Sequence, residues 1–215
     1  MRLTPSFLQF LILISGLGAI TASYLGFSSY YILKPLTTIL ILSFPIRYRA
    51  VGIEAYTKQI GVGLLFCLLG DSFLLFEDYF VLGLGSFLIG HLFFLIAFIQ
   101  RQGWRWQPKT ALVLLVIATV LFLLISGNLA TLFYPVLLYL IVIALMSWQG
   151  WALAFNPKIK NVKFLGIGVS LFLLSDALIA IDKFYTPFLL SSGLILSTYW
   201  LAIFLIAQTA SKYSK

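Results

Sequence analysis

A chain of 215 residues that is 62% hydrophobic and only 9% charged, with a mean hydropathy of +1.08, excludes a water-soluble globular domain. Apolar runs of ~18 residues or more, enough to cross ~30 Å of hydrocarbon, recur along its whole length. The net charge of +8 is assigned to basic loops at a membrane surface, not to nucleic acid.

The fold class is therefore all-α. The chain is read as a polytopic membrane bundle forming a single transmembrane domain, residues 1–215. Helices are the plausible element because each backbone amide in lipid must be satisfied within its own segment. Eight are predicted in chain order, over 6–24, 30–46, 58–75, 79–100, 109–127, 130–155, 163–182 and 187–209. The breaks between them carry turn residues such as Ser28–Ser29, Pro45, Glu77–Asp78, Gln107–Pro108, Gly127–Asn128, Asn156–Pro157 and Pro187. The first segment, with Arg2 ahead of an apolar stretch, has the outline of a signal peptide. It lacks a small-x-small cleavage pattern and is read as a retained helix. The single cysteine, Cys67, lies in an apolar run and excludes an intrachain disulfide.

The basic residues then sort to one side. Arg2, Arg47, Arg49, Lys58, Arg101, Arg105, Lys109, Lys158, Lys160, Lys163, Lys212 and Lys215 all fall at the same face, 12 of the 14 in the chain. The positive-inside rule predicts that this face and both termini are cytoplasmic, in the cell (inner) membrane. Lys34 and Lys183 fall toward the other face. So do five of the six acidic residues, Asp71, Glu77, Asp78, Asp176 and Asp182.

Asp71 and Asp176 sit inside apolar runs, Leu68–Leu69–Gly70–Asp71 and Leu173–Leu174–Ser175–Asp176. A carboxylate in hydrocarbon costs several kcal/mol unless paired, hydrated or protonated, which makes each a functional-site candidate. They occupy matching places in two similar stretches. Glu77 falls opposite Asp182, His91 opposite Tyr199, and Gln100 opposite Gln208. The offset is 105 residues at the aspartates and 108 further on, which predicts a parallel four-plus-four repeat that brings the aspartates to one interface. Two facing carboxyls in low dielectric divide into a protonated acid and an ionised stabiliser or base. The plainer alternative is a pair of packing aspartates bonded to serines or backbone.

The remaining candidates are weaker. Lys34 either holds a lipid phosphate, offsets the carboxylates, or snorkels out at a helix end. Pro35, next to it, is expected to loosen the helix. His91, the only histidine, is a hydrogen-bonding member of the site or a core histidine. It has no His, Cys or Glu at ligand spacing, so no metal site is expected. Tyr199 needs a hydroxyl partner if buried, and Tyr134 and Tyr139 can face the same interior. Glu77 and Asp182 lie at the outer rim, six residues past their aspartates and on another helix face, and rank below them as substrate-binding candidates. Gly83, Gly85 and Gly90 are expected to let helices approach closely.

These residues, taken together, resemble the lysoplasmalogenase (YhhN-like) family of integral membrane hydrolases. The resemblance rests on Lys34–Pro35–Leu36 and on Leu69–Gly70–Asp71 followed by Phe80, Gly83, Phe87 and Gly90–His91. It continues through Ser175–Asp176 with Phe184 and through Tyr199 to Gln208. The Tyr199–Trp200 pair departs from the pattern, where a second polar aromatic or a histidine is expected. The resemblance implies cleavage of the vinyl-ether bond of lysoplasmalogens, giving a fatty aldehyde and a glycerophospho-head-group. It implies a lysophospholipid substrate drawn from membrane lipid, Asp71 and Asp176 as the acid/base pair, Lys34 on the phosphate, and no cofactor or metal. Two other classes remain. A small-solute transporter also uses intramembrane acids and repeats, but the cytoplasmic halves here are nearly all apolar. An intramembrane aspartyl protease needs sequences around its aspartates that are absent here.

Overall fold

The structure, a computed structural model, describes residues 4–211; Arg2, Lys212 and Lys215, which enter the charge count, lie outside them. Eight α-helices follow one another: α1 (Pro5–Leu25), α2 (Tyr30–Arg47), α3 (Glu54–Phe73), α4 (Phe80–Gln102), α5 (Pro108–Ile125), α6 (Phe133–Ala154), α7 (Leu165–Phe184) and α8 (Ser191–Thr209). Local chemistry sets several ends. Pro5 opens α1 while the Thr4 hydroxyl accepts the Phe7 N–H at 3.3 Å, and Gly26 closes it in the left-handed region at φ +67°. Pro108 opens α5 in the same way. The expected loosening at Pro35 does not interrupt α2, which runs on to Arg47.

Six segments are by themselves long and apolar enough to cross a membrane, and they contain α1 and α4 to α8. The remaining two helices, α2 and α3, are 18 and 20 residues long. They carry Lys34, Thr37 and Thr38, and Glu54, Lys58 and Asp71, which lowers their apolarity. Both are packed within the bundle, α2 between α1, α3 and α8, and α3 against α2, α4 and α8. The chain is an integral multi-pass membrane protein.

The order of neighbours repeats after four helices. The most extensive pairs are α3 with α4 and α7 with α8; α1–α2 corresponds to α5–α6, and α2–α3 to α6–α7. The halves are joined by α4 on α6 and by α2 on α8, which are again equivalent. Contacts of α1 with α8 and of α5 with α7 have no such counterpart of comparable extent. A continuous core of Ile60, Leu64, Phe94, Phe98, Ile143, Met146 and Phe172, each with 0% exposure, fills the middle.

Close approach of α3 and α4 depends on glycines that differ in part from those expected. A Cβ on Gly63 would lie 2.4 Å from the Phe94 ring, one on Gly70 2.5 Å from Phe87, and one on Gly83 2.6 Å from Leu74. Gly90 backs onto the Gly63 carbonyl, 3.1 Å from where its Cβ would be. Gly85 mediates no contact, because nothing lies within 4 Å of its Cβ position. It faces a lipid-side groove between α4 and α6 instead.

Candidate active site

The functional side chains gather in one half of the bundle, near the starts of α2, α4, α6 and α8 and the ends of α3 and α7. From those ends Asp71 lies ~3 Å deep, Asp176 and Tyr199 each ~12 Å, and His91 ~16 Å, at 1.5 Å per residue.

Asp71 is 2% exposed. Its Oδ2 accepts hydrogen bonds from Thr38 Oγ1 on α2 at 2.5 Å and from Tyr199 Oη on α8 at 2.8 Å. The Trp200 indole N–H donates to Thr38 Oγ1 at 3.3 Å, which fixes that hydroxyl toward the carboxylate. Lys34, one turn before Thr38 on α2, is 6% exposed and within electrostatic range of Asp71. Its ammonium lies 5.8 Å from the centre of the Tyr30 ring and, among the described residues, is in no ion pair within 4.0 Å.

Asp176 forms a second, separate arrangement. Its Oδ2 accepts a hydrogen bond from Tyr139 Oη on α6 at 2.6 Å. His91 Nε2 on α4 lies 3.6 Å from the same oxygen, too far for a formed bond. The imidazole is fully buried between Phe172 and Tyr139, with ring centres at 4.5 and 5.3 Å, and neither nitrogen has a hydrogen-bond partner.

The facing carboxylate pair expected from the repeat is thus two carboxylate–phenol couples. Among the described residues no hydrogen bond joins the two acids and no donor serves both. Phe172 packs on both His91 and Tyr199, at 4.5 and 5.6 Å, and Cys67, one turn before Asp71, is within electrostatic range of both acids. The couples do follow the repeat: each aspartate meets one side chain from the second helix of a half and one from the fourth helix of the other half. The 105-residue offset that relates the aspartates also relates Lys34 to Tyr139.

Access distinguishes them. Asp176, with its side chain 10% exposed, lines an apolar cleft between α4, α5, α6 and α7 that runs from Phe80 and Phe184 at the rim to Leu173 and Ile143. The cavity volume is about 40 Å³. That admits a water or two beside the carboxyl, while an alkyl chain has to part the leucine walls. Leu140 is common to this cleft and to a larger lipid-side groove between α5 and α6. Asp71 lines none of these spaces.

Tyr134 corrects an expectation: its side chain is 78% exposed on the lipid-side groove beside Gly85, while Tyr139, a turn and a half further on, is the buried one. Glu77 is exposed in the 3₁₀ turn before α4, and Asp182 accepts the Phe188 N–H at 3.2 Å; both stay at the rim and touch neither aspartate. Thr38 is not picked out by sequence reasoning, and Trp200 enters it only as a departure from the family pattern. The signal for Thr38 was its spacing of four from Lys34, which puts both on one face of α2. Among the described residues no group of three His, Cys, Asp or Glu side chains comes together.

Residues 29–210 match the model of the YhhN family. The chain is 36% identical over 161 residues to lysoplasmalogenase TMEM86A of Bos taurus and 35% over 166 residues to that of Homo sapiens. Each match covers 71% of this chain and 65% of the relative, so the chain spans somewhat less than two thirds of the length of these relatives. It is also 25% identical over 193 residues to the uncharacterized membrane protein YhhN of Escherichia coli O157:H7, covering 89% of this chain and 92% of that protein. No solved structure matches the chain. A polytopic helical bundle that matches the family model from the start of α2 to the end of α8 is a member of the YhhN family.

Proposed function

We propose that this protein is a membrane hydrolase that cleaves the vinyl-ether bond of lysoplasmalogens. The observation that carries the reading is a carboxyl group at the foot of an apolar cleft, with one oxygen held by a phenol and the other without a protein partner. Its similarity to two proteins named lysoplasmalogenase supports the substrate class.

A vinyl ether is cleaved by acid without a nucleophile on the enzyme. Asp176, in its protonated form, donates from Oδ1 to the β-carbon of the alkenyl group, and the ether becomes an oxocarbenium ion. Water adds to the cationic carbon and returns its proton to the Asp176 carboxylate. The hemiacetal then collapses to a fatty aldehyde and a glycerophospho-alcohol: the carboxyl protonates the departing oxygen and takes up the proton that the hemiacetal hydroxyl releases. Tyr139 holds Oδ2 so that Oδ1 faces the cleft. His91, its nitrogens unpaired, orients the water. Asp71 supplies a second fixed negative charge that favours the cation. Lys34 offsets the cost of burying Asp71, which is the alternative to a phosphate contact.

The loop charges support a topology with the Asp176 side of the bundle away from the cytoplasm and both termini in it. A transporter is disfavoured by the apolar core beneath His91, where Phe94, Phe98 and Met146 continue no polar path. The test is purified protein given an alkenyl and an ester lysophospholipid of equal chain length. The expected product is aldehyde from the first. Fatty acid from the second, without aldehyde, overturns the proposal.

A further inference from the structure

We infer that Lys183 is the phosphate anchor for the lipid head-group at the mouth of the cleft. Lys183 ends α7 and is exposed, and its Nζ stands 5.3 Å from the centre of the Phe80 ring. Phe80 packs edge-on against Phe184 at 5.8 Å, and these two rings form the rim of the cleft that Asp176 lines.

Lys183 lies seven residues beyond Asp176, two turns along the same helix face and ~10 Å away along the axis. From phosphorus to the β-carbon of a 1-alkenyl lysophospholipid spans roughly 8 Å when extended. A phosphate on the ammonium therefore delivers the alkenyl group to the carboxyl, with the flexible lysine stem taking up the difference.

The ammonium is available for this. Among the described residues Lys183 is in no ion pair within 4.0 Å, and the adjacent Asp182 is turned to the Phe188 N–H. Lys34, by contrast, is buried beside Asp71 and lines none of the spaces that reach Asp176. Glu77 and Asp78, in the turn leading to Phe80, are placed for the cationic end of a zwitterionic head-group. The assignment rests on the hydrolase reading for its substrate, so its test avoids turnover.

Two saturated-ether ligands that cannot be cleaved, an alkyl-glycerophosphoethanolamine and the matching alkylglycerol without phosphate, are titrated onto purified protein in micelles. Lys183→Gln is expected to weaken the phospholipid about tenfold, as loss of a charge-assisted phosphate contact does, and to leave the alkylglycerol alone. Lys183→Arg restores the phospholipid affinity. Equal affinities of Lys183→Gln and wild type for the phospholipid, or an equal loss for both ligands, overturns the assignment. Absence of aldehyde release by wild type overturns the hydrolase reading instead and leaves this binding result standing.

Discussion

Replacing Asp176 by asparagine removes a transferable proton and little else. Asn is nearly isosteric, and its carbonyl, in the place of Oδ2, can still accept the 2.6 Å hydrogen bond from Tyr139 with the His91 nitrogen 3.6 Å from it. The Tyr139 bond goes from a neutral carboxyl to a neutral amide, so the stability change stays within about 1–2 kcal/mol. Loss of a positioned general acid removes 10²–10⁴ in rate, or about 3–5 kcal/mol of barrier. The assay is aldehyde release from an alkenyl lysophospholipid, coupled to alcohol dehydrogenase and followed as NADH consumption. Thermal unfolding and size exclusion in the same micelles report the fold. A variant that keeps more than about a tenth of the wild-type rate with a normal melting temperature refutes Asp176 as the proton donor.

Other consequences follow from the same contacts. Tyr139→Phe leaves the acid in place but frees Oδ2, and turnover is expected to fall about tenfold to a hundredfold in the aldehyde assay. Gly63→Ala drives a methyl into the Phe94 ring, 2.4 Å away, and is expected to cost about 1–3 kcal/mol. Gly61→Ala, which meets nothing within 4 Å, is the matched control; equal melting temperatures for the two refute tight α3–α4 packing at Gly63. In a Cys67→Ser background, an impermeant thiol reagent applied to intact cells is expected to label Asp78→Cys and not Lys160→Cys. Both positions are exposed, and the reverse pattern inverts the orientation drawn from the loop charges.

The sequence by itself determined the eight helices, because the run length needed to cross hydrocarbon and the turn residues between runs are local properties. The predicted ends fall within about four residues of the observed ones. It also made Asp71 and Asp176 stand out, since a charge in an apolar run is costly wherever the chain goes. What it did not contain was which face of each helix meets which neighbour. That choice is made by interdigitation of side chains from distant segments, and it placed Thr38, Tyr139, His91 and Tyr199 around two different carboxyls rather than one. It also turned Tyr134 out to lipid and Tyr139 inward, a distinction of helix phase that hydropathy alone does not resolve. The opening of a cleft onto Asp176 arises where α4, α5, α6 and α7 leave their apolar side chains imperfectly meshed. Packing of that kind exists only once all four helices are in place.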